Sequence, residues 1–346
     1  MLSLDEKYLI DTFFRLAETP SPVGYHVEAN PVLASMAASL GESVTLDQRG
    51  NAYIHMTGED PTRTVFVCAH MDTLGLMVSA IAKDGSLGIR SLGSTNLISA
   101  ESENVTVITR TGKRYTGILM CKSHSGHAFD DARTRERKDE NMMVLLDEPV
   151  TSRADTEALG VCVGDYIAID ARPVFTEKGF LKSRYIDDKA MVACALTAIK
   201  AMKDEGRRPK YNTVFAFTYY EENSGGMPLP DGVTEILGLD IGLVSPINTG
   251  TEHTVSICAK DFSTVYDYTL TSELVALAER TGCAFVTDIH YRYGSDVGVA
   301  LRSGCNARGA LIGPGVYGSH GVERTHIDGL ANTARLLLAY LTERES

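Results

Sequence analysis

The chain has 346 residues, 44% hydrophobic and 23% charged, the composition of a soluble globular protein long enough for one large domain or two ordinary ones. Its net charge of −12 argues against nucleic acid or an anionic membrane as partner, because both reward basic patches. No apolar run reaches the roughly 20 residues needed to span a bilayer. The opening MLSLDEKYLIDTFF carries acids rather than a basic-then-apolar leader, and seven cysteines lie scattered without paired spacing, so buried free thiols in a reducing cytoplasm are expected.

Residues 5–16 place Tyr8, Leu9, Thr12, Phe13 and Leu16 at helical spacing, and TPSPVG at 19–24 ends the segment. A second helix is expected over about 28–40, then a hairpin over 43–58 turning at Arg49-Gly50-Asn51. Residues 64–72, TVFVCAHMD, open as a β-branched apolar run, which reads as a buried strand, and stop on His70 and Asp72. From 73 to about 172 the pattern changes to short alternating segments between turn residues, among them 105–110, 113–120 and 166–169. Residues 125–140 of this block are strongly charged and read as a solvated loop or short helix. Strand–helix alternation resumes at Phe180. A helix is expected over 188–202, and a strand over 212–220 (NTVFAFTYY) that ends on Glu221 and Glu222. A Gly/Pro-rich loop at 225–232 follows, then short strands at 241–244, 254–258, 284–290 and 309–312. Helices are expected over 272–279, from 297, and over 328–341.

Ligands of open α/β sheets gather at the carboxyl ends of parallel strands, so a histidine there is well placed to hold a metal. His70 is such a candidate, with Asp72 to orient its ring. Either member of Asp187-Asp188 would serve as a helix cap, but one acid suffices for that, and the second points to a cation. Glu221 and Glu222, adjacent at the exit of a buried strand, would repel one another in low-dielectric surroundings. A metal held by one and a water activated by the other removes the conflict. His320 lies between Gly318 and Gly321, where the backbone is free to aim a side chain inward; His326 is nearer the next helix and the weaker candidate. His124 and His127 lack supporting carboxylates, and His253 and His290 read as ordinary. No nucleophile elbow, phosphate-cradling glycine motif or Cys–His pair emerges.

Together AHMD, SRYIDDK, YEE and YGSHGVERTH, in that order, resemble the dinuclear metallo-aminopeptidases that include glutamyl, deblocking and tetrahedral aminopeptidases, over nearly the whole chain. ESENVTVITRTG, YRYGSD and SHGVERTH look closer to the subgroup found with bacterial osmoprotectant dipeptide synthesis. The resemblance implies an α/β fold, a phosphorylase/hydrolase-like zinc-peptidase sandwich, with residues 1–72 and 176–346 forming the catalytic domain. Residues 73–175 would be an inserted β-rich block used for dimerisation or oligomerisation. Asp187 would bridge two metals, His70 would bind one, and Glu222 and His320 the other. Glu221 would be the general base, with Asp72 supporting catalysis and Asp188 behind the ligands. The cofactor implied is a divalent metal, Zn2+ with Co2+ or Mn2+ as alternatives. The implied setting is a cytoplasmic homo-oligomer, dimer to dodecamer, acting on small peptides.

The sequence departs from that family where a further metal-binding aspartate should end a short strand. Here 242–244 is followed by Ser245 and Pro246, and a neutral hydroxyl is a poor ligand for a divalent ion. Asp240 falls at the start of that segment and is read as pointing to the wrong end of the sheet. Met191 and Asn223-Ser224 are smaller departures. The resulting expectation is an aminopeptidase with one tightly held ion and a second, weakened one. The alternative is a catalytically impaired paralogue keeping the fold for peptide binding or assembly with an active relative. A glycosidase is set aside, because no opposed carboxylate pair stands out.

Overall fold

In the computed structural model, which describes residues 2–344, the chain divides into two compact units. One comprises the residues up to Asp72 and those from Arg172 onward; the other is Thr73–Ala171. The first is built on a nine-stranded sheet. Its order is Val44–Leu46, Ala52–Met56, Tyr211–Thr218, Asp60–His70, Val233–Leu239, Arg308–Val316, Val255–Lys260 and Phe285–Ile289, with Gly242–Leu243 beside Arg308–Val316. The four strands from Tyr211–Thr218 to Arg308–Val316 run parallel. They are apolar along most of their length because a parallel sheet is covered on both faces. His70 stands opposite Thr218, and Cys68 opposite Gly238, so the residues that follow these strands emerge along one edge.

Helices Ile186–Asp204 and Ile327–Thr342 pack against this sheet and against each other. The first is buried on every side from Ile186 to Ile199, and its small residues Ala190, Ala193, Ala195 and Ala198 let neighbours approach that closely. Phe66, Cys68, Val214, Ala216, Ile236 and Leu311 of the sheet pack with Val297 and Ala300 of helix Asp296–Arg302.

The second unit is a closed antiparallel barrel in the order Gly75–Ile81, Leu87–Leu92, Met142–Leu146, Arg114–Cys121, Asn104–Ile108 and Tyr166–Ile169. Alternate residues such as Leu76 and Val78, Val105 and Val107, and Leu119 and Cys121 fill its core, the two-residue period of a strand with one buried face. The charged stretch holds turns and one 3-10 turn, Asp139–Asn141.

Two features correct the sequence reading. Residues 172–175 belong with the first unit rather than with the inserted block, because Val174–Phe175 pairs with Phe180–Ser183, which pairs with Glu323–His326. The reading places no strand between the loop at 225–232 and residue 241; the structure has there the central strand Val233–Leu239. Its sequence VTEILGL is a β-branched and apolar run after the turn at Gly232, and it takes the interior position between Asp60–His70 and Arg308–Val316. No helix among the described residues is long and apolar enough to cross a membrane.

Candidate metal centre

The carboxyl ends of the parallel strands carry His70, Asp240, Glu221 and Glu222, and helix Ile186–Asp204 delivers Asp187 and Asp188 in its first turn. His70 Nε2 lies 3.1 Å from Asp187 Oδ1 and 3.8 Å from Glu221 Oε2. His320 Nε2 lies 3.8 Å from Asp187 Oδ2 and 3.6 Å from Glu222 Oε2. Each oxygen of Asp187 therefore faces a different imidazole. Donor atoms of His70, Asp187 and Glu222 all fall within 4.8 Å of one another, and so do those of His70, Asp188 and Asp240. A small cavity beside them is lined by His70, Glu221, Asp240 and Asp296.

Buried hydrogen bonds fix these side chains. His70 Nδ1 lies 2.9 Å from the Asp72 carbonyl, which can only accept; Nδ1 therefore carries a proton, and Nε2 is turned into the cluster. The Asp72 carboxylate accepts the N–H groups of Glu221 (3.2 Å) and Glu222 (3.1 Å) and so sets the turn that presents both glutamates. Asp188 Oδ2 accepts the His70 N–H at 3.0 Å, while its Oδ1 is buried without a partner. The peptide joining Asp187 and Asp188 is cis. Glu323 accepts the N–H groups of Asp187 (3.0 Å) and His320 (3.2 Å), clamping two separate segments at once. It holds His320 in the left-handed region at φ 66°, where a non-glycine residue is strained. The sequence reading misses Glu323, although an acid three residues beyond a histidine in a glycine-rich turn is a usable signal.

The structure corrects the position of Asp240, which ends a strand at the sheet edge that carries His70. Ser245 follows Gly242–Leu243, and its hydroxyl lies 2.6 Å from Asn248 Oδ1 and accepts the Ile247 N–H, closing a local turn. Asp240 directly follows Val233–Leu239 at the same sheet edge as His70, and it is buried. Asp240 lies between two short apolar runs, and it ends Val233–Leu239 as well as preceding Gly242–Leu243. Gly313 makes this placement possible, since a Cβ there would lie 1.7 Å from the Asp240 carbonyl oxygen.

Burial drives the electrostatics. It pushes Asp188, Glu221 and Glu222 well above the usual carboxylate range, with neighbouring acids adding to the effect. Asp240 is pushed up to about 8 by burial and then by Asp187, and Asp72 to about 6 by burial. Asp187 is held below its ordinary value: burial opposes this, but the His70 hydrogen bond and both imidazoles outweigh it. Burial likewise opposes a charge on His70, and Asp187 with the other acids more than reverses that. The carboxylates outnumber the imidazoles, and one of their buried oxygens has no partner. Carboxylate oxygens and imidazole nitrogens converging on an excess of buried negative charge are the donor set that divalent cations require.

The parallel α/β sheet with its inserted barrel is a fold shared with solved aminopeptidases. The TET aminopeptidase of Thaumarchaeota archaeon SCGC AB-539-E09 superposes with a TM-score of 0.85 at 20% identity, covering 98% of this chain and 97% of that one. The Pyrococcus horikoshii TET1 peptidase, which assembles into a tetrahedron or a large octahedral shell, gives 0.82 at 19% identity over 97% and 100%. In sequence the chain is 39% identical over 328 residues to YhfE of Bacillus subtilis (strain 168), a protein named as an aminopeptidase, covering 94% of this chain and 95% of YhfE. It is 27% identical over 195 residues to the lysyl aminopeptidase of Pyrococcus furiosus, covering 56% and 54%. The M42 glutamyl aminopeptidase family model matches residues 50–336, and the chain belongs to that family. It is an enzyme, a hydrolase acting on peptides.

Proposed function

We propose that this chain is a two-metal aminopeptidase that removes N-terminal residues from small peptides. Asp187 would be shared between the ions, His70 and Asp240 would complete one site, and Glu222 and His320 the other. The observation that carries this reading is the position of Asp240, buried beside His70 at the end of a central strand. It would supply the carboxylate that Ser245 does not, which supports an active enzyme over the impaired paralogue.

When bound, divalent cations would polarise the scissile carbonyl and lower the pKa of the attacking water. Glu221, whose carboxylate lies beside His70 but belongs to neither ligand set, would accept the proton of that water and pass it to the leaving amine. Asp72 would keep Glu221 and Glu222 in place through their N–H groups, and Glu323 would do the same for Asp187 and His320. Asp188 would fix the backbone at His70. The metal is proposed to be Zn2+, with Co2+ or Mn2+ as functional substitutes. By analogy with the tetrahedral relatives, the chain would form a cytoplasmic homo-oligomer with the barrel unit contributing contacts.

The test is metal content per chain after purification in excess zinc, cobalt or manganese, alongside amino-acid release from a dipeptide panel, for the natural protein and Glu221→Gln. Two ions should be held in both, with turnover in the variant reduced about 10²- to 10⁴-fold, the usual worth of a general base. One ion in the natural protein, or undiminished turnover in the variant, would refute the proposal.

A further inference from the structure

The turn that carries Glu221 and Glu222 has little means of holding itself. Glu221–Asn223 is a single 3-10 turn, Tyr220 before it gives no side-chain cap, and Ser224 after it lies in the left-handed region at φ 53°. So short a 3-10 segment has poorly aligned hydrogen bonds and no length over which to gain cooperativity. The aim of both carboxylates therefore depends on what grips the turn from outside. Asp72 does so at its start, by accepting the Glu221 and Glu222 N–H groups.

The far side is gripped by Arg49. Its Nη1 donates to the carbonyls of Gly225 (2.9 Å) and Gly226 (3.0 Å), and its guanidinium carbon lies 4.1 Å from the centre of the Tyr220 ring. One side chain thus touches the residue before the glutamates and two residues after the turn. The chain doubles back to allow this. The Gly225 N–H donates to the Tyr220 carbonyl at 2.8 Å, and a Cβ on Gly225 would lie 2.4 Å from Tyr220 Cβ and 2.9 Å from Arg49 Nη2.

Arg49 is itself anchored. Its N–H donates to Asp47 Oδ1 at 2.8 Å, and the Asp47 carboxylate also accepts from the Asn51 N–H, Asn51 Nδ2 and the Tyr53 hydroxyl. Asn51 Oδ1 accepts the Tyr219 N–H at 3.0 Å. The Tyr219 hydroxyl donates to Asn30, whose Nδ2 donates to the Gly50 carbonyl at 2.9 Å. The hairpin turn at 47–51 is therefore bonded to the chain just before the glutamates and, through Arg49, to the chain just after them.

We infer that Arg49 is a positioning residue for Glu221 and Glu222, acting through the Gly225 and Gly226 carbonyls and the Tyr220 ring. A guanidinium suits the task because its flat face stacks on a ring while its N–H groups bond in its own plane, which an ammonium cannot do. The effect on rate rests on the proposed roles of the two glutamates; the effect on the turn does not. Loss of Arg49 would let the turn drift while His70, Asp72 and Asp187 keep their own bonds, so kcat should suffer more than KM.

The test compares the natural protein with Arg49→Gln and Arg49→Ala, at saturating zinc, by peptide hydrolysis, Tm and hydrogen exchange resolved to peptides. Both variants should show kcat lowered about 10- to 100-fold with KM little changed, the cost of a small misplacement of reacting groups. Amides of 220–226 should exchange faster while those of the central strands do not, and Tm should stay close to that of the natural protein. Millimolar guanidinium chloride should restore part of the turnover of Arg49→Ala, and sodium chloride at the same concentration should not. Natural kcat in both variants would overturn the inference, and so would faster exchange throughout the sheet, which would make Arg49 a residue of general stability. If the natural protein releases no amino acid from peptides, the proposed function fails instead, and exchange at 220–226 alone decides whether Arg49 holds the turn.

Discussion

The two ends of strand Val233–Leu239 carry buried acids treated in opposite ways. Near its start, Glu235 is surrounded by cations and donors: Arg344 Nη1 at 2.6 Å, Tyr340 Oη at 2.9 Å, and Arg308 in close contact. Burial alone would raise its pKa, but Arg344 and its neighbours hold it below the usual range. Just past the other end, Asp240 stands among Asp187, Asp188 and Glu221 and is pushed up to about 8. The protein neutralises the first acid with its own guanidinium groups. For the second, the neighbouring charges that act on it most are another acid, Asp187, and the His70 imidazole. A buried acid is thus a ligand candidate when its surroundings lack fixed positive charge, and strand direction decides which end that is.

The sharpest way to break this contrast is Asp240→Asn, which keeps the shape and removes the charge. Loss of one bound ion and a fall in kcat of about 10²-fold or more are expected, read by metal analysis and peptide hydrolysis. Two ions and full activity in this variant would return the ligand role to another residue. Asp72→Asn should act more mildly, lowering kcat about 10- to 100-fold with both ions retained, because it loosens the turn that aims Glu221 and Glu222.

Glu235→Gln tests the opposite end. Uncovering the buried Arg344 should cost about 3 kcal/mol of stability by denaturant titration, with little change in kcat per folded molecule. The folded-state pKa of Glu235 lies below its ordinary 4.5. Its contribution is therefore complete above that value and is lost as pH falls through the depressed one. The variant should accordingly show a flatter loss of stability on acidification. The smallest effect belongs to Ser245: Ser245→Ala should alter stability by no more than about 0.5 kcal/mol. Ser245→Asp should add no ion, and a gain of metal there would contradict the placement of Asp240.

His70, Asp187, Glu221, Glu222 and His320, which the fold brings together, stand out in the sequence because each lies in a local pattern: an apolar strand ending on polar residues, an acid pair opening a helix, or a histidine in a glycine-rich turn. The barrel was legible from its two-residue period, which Leu76 and Val78 or Val105 and Val107 display without help from distant residues. The family followed from the order of such segments. Asp240 was not legible, because its role depends on which of two short apolar runs becomes the central strand. That is settled by pairing with Asp60–His70 and Arg308–Val316, both far away in sequence. Glu323, and the hold of the Asp72 carboxylate on the two glutamates, share this dependence. Their partners are backbone groups and side chains brought close only by folding, and a hydrogen bond or ligand set is a fact of distance, which sequence spacing does not fix. Residue type and period thus determined the elements and the chemistry on offer, and the register of one buried strand decided where that chemistry meets.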